Sequence, residues 1–250
     1  MRLINTKTYQ LKDFLDESIP PYAVLSHTWG EDELVYKDLI KGPEAREAPG
    51  FAKIEGCCKV AQQFRLDWAW IDTICIDKSS SAELSEAINS MFAWYQGAQV
   101  CFAFLSDIQW TRVFQDSYRK DVLQALGRSR WFTRGWTLQE LLAPSEVVFL
   151  DRTWTKIGTK EGFSDVLESL TSIRRVFLVF PKRVEDASVA ERLSWASHRQ
   201  TSRKEDMAYC LLGLLGINMP LLYGEGHRAF LRLQHEIIRS TYDHTLLAWG

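Results

Sequence analysis

The residues with the clearest chemical potential lie in one stretch, residues 129–142, SRWFTRGWTLQELL. Arg130, Trp131, Arg134 and Trp136 fall within seven residues, and Glu140 follows on a segment with helical spacing. At about 100° per residue from Trp136, Leu138, Leu141 and Leu142 lie near about 200°, 140° and 240°, which makes one apolar face. Glu140 lies near about 40°, beside Trp136 and roughly opposite the leucines. The spacing predicts a helix that buries one side and presents a carboxylate beside an indole on the other. A carboxylate next to an aromatic ring, with two guanidinium groups upstream, suits a cationic, ring-bearing ligand that carries phosphates. A solvated glutamate on an amphipathic helix is the plainer alternative.

Such a group needs a scaffold, and the first half of the chain alternates apolar strands with helices. Residues 22–26 (YAVLS), 68–72 (WAWID), 99–105 (QVCFAFL) and 146–150 (EVVFL) read as strands. Residues 53–64 carry Ile54, Cys57, Cys58, Ala61 and Phe64 at helical spacing. Ser80 and Glu83 form a capping-box pair ahead of Leu84, Ile88, Met91, Phe92 and Tyr95. Near-continuously apolar strands separated by helices predict a mainly parallel sheet covered on both faces, a doubly wound α/β fold. Ligands of such folds bind beyond the carboxyl ends of the strands. That rule makes candidates of Ser26, His27, Trp29 and Gly30 after the first strand and of Asp72 and Asp77 after the second. A polar, aromatic segment, 106–128, leads into the Glu140 stretch.

From residue 186 the pattern becomes helical. Ser202 and Glu205 form another capping-box pair, and Met207, Cys210, Leu211, Leu214 and Leu215 follow at helical spacing. A connector at 218–226 (NMPLLYGEG) precedes a last helix over 227–241. No linker rich in Gly, Ser or Pro intervenes, so 186–250 is expected to pack on the 1–185 core within one domain. The apolar end at 246–250 (LLAWG) carries no polar tail, as expected of a piece of a longer chain.

Composition removes several function classes. Among 250 residues, 46% are apolar and 25% charged, ordinary for a soluble globular protein. A formal net charge of −2 argues against a general nucleic-acid binder. No apolar run approaches the ~18 residues that span a membrane, and the N-terminus has no secretory h-region. The five cysteines include no CxxC pair, which suits reduced, packed thiols in a cytoplasmic protein. The five histidines include no HExxH, and no metal site is expected. Ten tryptophans serve equally as core area or ligand platforms.

Six blocks in order, LSHTWGEDE (25–33), WIDTICIDK (70–78), AELSEAINSMFAWYQGAQVCFAFLSD (82–107), SRWFTRGWTLQELLAP (129–144), residues 191–237 and DHTLLAW (243–249), resemble the fungal heterokaryon incompatibility (HET) domain. The resemblance implies a cytoplasmic effector at the N-terminus of a multidomain protein, with a nucleotide-binding oligomerisation module behind it. It also implies self-association and cell death when genetically different filaments fuse. A more distant similarity is to Toll/interleukin-receptor (TIR) domains, which have a flavodoxin-like sheet. There a Trp-Cys-Leu-x-Glu-Leu motif follows the third strand and its Glu hydrolyses NAD. Residues 136–141 (WTLQEL) match it, with Thr137 in place of Cys, and LSHTWGED (25–32) resembles the loop after the first strand. Two departures stand out: about thirty residues separate the third strand from Trp136, and the helical tail from 186 has no TIR counterpart.

The two resemblances imply NAD glycohydrolase chemistry with Glu140 as the catalytic residue, NAD being substrate and no resident cofactor being needed. Whether NAD, NADP, another nucleotide or a nucleic acid is the substrate stays open. Cleavage passes through an oxocarbenium-like ribosyl cation that a carboxylate stabilises or attacks, and nicotinamide leaves as a neutral group. Ser26, His27 and the amides through Gly30 would hold phosphate or ribose, and Arg130 or Arg134 would pair with phosphate. Trp136 would exclude water or stack on a ring. Each residue has a structural alternative: a cap or hydrogen-bonded anchor for His27, Asp72 and Asp77, core for Trp131 and Trp136, carbonyl binding for Arg134. Glu205 and Asp206 are expected to complement a helix N-terminus, and 223–226 to form a turn. The alternative to an enzyme is a module that kills by association or partner recruitment. A nucleotide-binding switch without turnover is a third option.

Overall fold

The computed structural model describes residues 1–110 and 118–247. Part of the 106–128 connection and of the apolar end at 246–250 therefore lies outside the described residues. Seven strands form one sheet: β1 (Arg2–Asn5), β2 (Leu11–Asp13), β3 (Ala23–His27), β4 (Trp68–Trp70), β5 (Val100–Leu105), β6 (Val147–Asp151) and β7 (Lys156–Thr159). Their order is β2-β1-β4-β3-β5-β6-β7. The four central strands, β4, β3, β5 and β6, run parallel, and β1, β2 and β7 add antiparallel edges. This is the α/β architecture with a mainly parallel sheet that the apolar runs predict.

The three antiparallel strands escape sequence reasoning for a physical reason. They are three or four residues long, too short to show a run: β2 and β7 are the edges of the sheet and need none, and β1, between β2 and β4, offers only the buried Leu3 and Ile4. β3, β5 and β6 are buried throughout, as continuous apolar runs require.

The chain leaves β3, pairs β4 on one side, then crosses back to pair β5 on the other. That reversal opens a crevice at the carboxyl ends of β3 and β5. Aligned residues of parallel strands share a face, so Leu25 and His27 lie with Phe102 and Phe104, and Ser26 with Ala103. The first set faces the Phe51–Gln63 helix, as the Phe64–Phe102 ring contact at 5.3 Å shows. The second faces the Ser81–Gly97 and Thr137–Leu142 helices, where the Cys101 thiol donates to the Glu140 carbonyl at 3.7 Å. All five cysteines are free and buried. No helix among the described residues is long and apolar enough to cross a membrane.

Helix starts follow the sequence in part. The Ser80 hydroxyl accepts from the Glu83 amide at 3.3 Å. The Glu83 carboxylate does not return to Ser80; it accepts from the Asp77 amide and Arg2, both at 2.7 Å. Ser202 caps nothing. The Asp206–Tyr209 helix starts at Glu205, whose carboxylate accepts the Gly224 and Gly226 amides at 2.9 Å each and fixes the 223–226 turn.

The C-terminal helices share the core of the sheet: Tyr209, Leu211, Leu212, Leu214 and Leu233 are buried in it. Gly213 of the Leu212–Leu215 helix lies so close to Phe92 that an added Cβ would sit 2.1 Å from its Cβ. Gly213→Ala is expected to cost about 1–3 kcal/mol through this overlap, measured by urea denaturation. A cost below about 0.5 kcal/mol, the scatter of neutral surface changes, would mean that the helix slides freely off Phe92.

A candidate active site at the carboxyl edge of the sheet

The Thr137–Leu142 helix is wedged in from both ends. Upstream, Ser129 caps the Arg130–Thr133 turn and donates to Asp107 at 2.7 Å. Arg199, from the C-terminal part, donates to the Arg134 carbonyl and the Thr137 hydroxyl, both at 2.9 Å. The Gly135 amide donates to the Gln200 carbonyl at 2.8 Å, and Gln200 returns its amide to Thr133 at 2.6 Å. Gly135 permits this approach, since a Cβ there would meet Thr201 at 2.5 Å. Downstream, the buried Lys160 ammonium donates to the carbonyls of Leu141, at 3.1 Å, and Pro144. With no ion pair among the described residues, burial lowers Lys160 to about 8 and Arg199 to about 10.

The helix does not bury one side only, as the spacing predicts, and the plainer alternative of a solvated glutamate falls with it: all six of its residues are buried, and Glu140 is 7% exposed. The leucines do face away from Glu140, but the carboxylate side is covered by β3 and by Tyr95. The Ser26 hydroxyl donates to Glu140 and accepts the Trp131 indole N–H at 2.7 Å. Tyr95 donates to the Leu25 carbonyl at 3.2 Å, and its hydroxyl also reaches the carboxylate. Burial raises Glu140 to about 7, with Ser26, Arg134 and Tyr95 opposing the rise and Asp72 adding to it.

A second group lies over the same rim, from the other side of the sheet. His27 Nε2 is 2.9 Å from Asp72 Oδ1. The Trp29 indole and the Lys78 ammonium donate to Asp72 Oδ2 at 3.1 and 3.2 Å, and Lys78 lies 3.5 Å over the Trp29 ring. Burial alone would raise Asp72, but Lys78 and His27 outweigh it and hold the carboxyl below its usual range. Burial lowers His27, so the ring is neutral at pH 7; Nε2–H donates to Asp72 and Nδ1 is left 3.7 Å from Glu33. Glu33 pairs with Lys53 and accepts the Gly30 amide at 2.9 Å. Burial lowers Lys53 to about 8, and the charge of Arg134 adds to this.

Arg134 is half-buried, its charge acts on Glu140, Lys53 and Lys78, and it makes no ion pair among the described residues. Ser26, His27, Trp29, Asp72, Arg134 and Glu140 therefore converge. The other candidates stand elsewhere. The Gly30 amide is taken by Glu33. Asp77 is a loop anchor, its carboxylate accepting the Ser79 amide and hydroxyl at 3.0 and 2.6 Å. Arg130 is largely exposed, 3.8 Å from Asp107. Trp131 is core, and the half-buried Trp136 bonds Asp206, which also accepts the Tyr223 hydroxyl at 2.9 Å. Sequence reasoning leaves out Glu33, Lys53, Lys78, Tyr95 and Arg199. Glu33, Lys78, Tyr95 and Arg199 lie in the blocks at 25–33, 70–78, 82–107 and 191–237, which is a usable signal; nothing local marks Lys53.

A rise of Glu140 from 4.5 to about 7 corresponds to roughly 3 kcal/mol of stability. The folded state holds this proton more tightly than the unfolded chain. The contribution is therefore fully present below pH 4.5 and is lost as pH rises through about 7. Denaturant unfolding of the wild type and Glu140→Gln across this range should give a difference that falls with pH. His27 contributes with the opposite sign in both proteins and cancels. A pH-independent difference would place the titration elsewhere.

A family model described as heterokaryon incompatibility protein (HET) matches residues 22–120, which hold Ser26, His27, Lys53, Asp72 and Lys78. The vegetative incompatibility protein HET-E-1 of Podospora anserina is 43% identical over 229 residues, 90% of this chain. The chain spans 17% of the length of that relative. No solved structure matches the chain. On this identity, sustained over nearly its whole length, the chain belongs to the heterokaryon incompatibility (HET) family.

Proposed function

We propose that this chain is a cell-death effector of heterokaryon incompatibility that releases nicotinamide from NAD when its copies are clustered, with Glu140 as the catalytic carboxylate. The observation that carries this reading is the buried Glu140 at the carboxyl edge of β3, raised to about 7 and set beside Asp72 and three cations. The cleaved ribose develops positive charge, which Glu140 stabilises in its ionised form. Lys53, Lys78 and Arg134 supply charge for a pyrophosphate at the same rim. Ser26 orients the carboxylate, and the Asp72–His27 pair accepts ribose hydroxyls. The TIR-like role of Glu140 extends the strand order, β3 central and flanked by β4 and β5, to mechanism.

One observation favours the rival reading, a domain that kills by association alone: Glu140 is enclosed and already bonded to Ser26. Nicotinamide release by concentrated or artificially dimerised protein separates the two. Glu140→Gln should lose about 100-fold or more in rate and should lose killing in hyphae. Killing retained without turnover would establish the association reading. For the active enzyme, kcat should climb about tenfold per pH unit up to about 7 and then level, since only the ionised carboxylate works. A flat profile from pH 5 to 8, the range spanning this ionisation, would remove Glu140 from the chemistry.

A further inference from the structure

On the face of β3 opposite Glu140, a cleft of about 320 Å³ opens at the carboxyl ends of β3, β5 and β6. Phe104 and Trp154 form its apolar wall, their rings stacked 4.2 Å apart at 21°. The loop after β3 lines the other side with Glu31 and Asp32, and Ala52 of the Phe51–Gln63 helix lies at the mouth. Two cations also line the cleft, Lys53 beside the His27–Asp72 group and Arg152, whose guanidinium donates to Gln109.

The wall is built at a cost. Trp154 has φ 64°, a left-handed backbone that a bulky residue adopts only under constraint, at about 1 kcal/mol or more. Asp151 imposes it, its carboxylate collecting the amides of Trp110, Thr153 and Thr155 at 2.9, 2.8 and 3.0 Å. On the facing helix, Gly56 leaves room for the indole, since a Cβ there would lie 2.1 Å from the ring. A glycine inside a helix costs roughly 0.5–1 kcal/mol. Across the cleft, the Glu31 and Asp32 carboxylates are exposed and make no ion pair or hydrogen bond among the described residues. An apolar wall opposite two uncommitted carboxylates fits a planar base joined to a diol. The volume is at the low end for ligand sites and suits a nucleoside rather than a whole dinucleotide.

We infer that this cleft is a nucleoside subsite that takes the adenosine end of the substrate. The base lies against Phe104 and Trp154, and Glu31 and Asp32 accept hydrogen bonds from the ribose 2′- and 3′-hydroxyls. The phosphates then pass over Lys53 toward Arg134, and the opposite ribose reaches Glu140. The same carboxylates repel a 2′-phosphate, so the subsite selects NAD over NADP. Its connection to Glu140 rests on the NAD-cleaving reading above; its affinity for a nucleoside does not.

Saturation-transfer NMR and calorimetric titration with adenosine, adenosine 5′-phosphate and adenosine 2′-phosphate test the subsite without turnover. The wild type should bind the first two at millimolar or lower concentration and reject the third. Ala52 is exposed on its helix, so Ala52→Trp should fill the cleft while keeping the wild-type melting temperature. It should weaken adenosine at least tenfold, and Ala52→Ser should not. The double change Glu31→Gln, Asp32→Asn should admit adenosine 2′-phosphate. No adenosine binding by the wild type, or equal binding by Ala52→Trp, overturns the subsite. Adenosine binding without nicotinamide release would overturn the NAD-cleaving reading and leave the subsite standing.

Discussion

A carboxyl group enclosed in protein must be hydrogen-bonded, ion-paired or protonated, and Glu140 is where this chain meets that demand. Ser26 donates to it, Trp131 fixes Ser26, and Tyr95 closes the remaining side. These partners come from the end of β3, the turn before the helix and the Ser81–Gly97 helix. The Tyr95 hydroxyl lies between the Leu25 carbonyl and the carboxylate, and with Ser26 it opposes the rise that burial causes. The carboxylate and its three neighbours form one unit, whose hydrogen bonds favour the ionised form and whose burial favours the protonated one.

The rim around this unit is nearly balanced in charge, and the balance is local. Asp72 and Glu33 are each tied to a lysine, while Arg134 is left without an ion-pair partner among the described residues. Burial draws both Lys53 and Lys78 down, and the charge of Asp72 opposes the fall in both. A polyanion arriving here exchanges one set of partners for another rather than meeting bare charge. Such exchange keeps a cluster of cations soluble and ordered in its absence.

The legible part of the fold is the part whose physics is continuous along the chain. Within residues 22–26, 99–105 and 146–150 every side chain but the leading Gln99 and Glu146 is buried, and each run forms a strand within a residue or two. The apolar run at 68–72 predicts Asp72 as the last residue of a strand; it opens a short helical turn instead, Asp72–Cys75, and bonds His27 from there. The motif points to Glu140, but the helical spacing does not predict its burial. An amphipathic plot counts the leucine face and cannot know that Ser26, more than a hundred residues away, waits on the other side. Lys53 and Arg199 were missed on the same ground: a basic residue on a helix or loop reads as solvated until its neighbours are placed.

The contacts made by Arg199 and Gln200 bear on how such a domain is inherited. The backbone just before Glu140 is completed by hydrogen bonds from a segment more than sixty residues downstream, and Gly135 has given up its side chain to let that segment in. A gene fusion that joined foreign sequence after residue 185 would carry the sheet and Glu140 but not the strap that seats them. A breakpoint that keeps the sheet together with its seated Glu140 therefore has to fall outside the helices that follow the sheet.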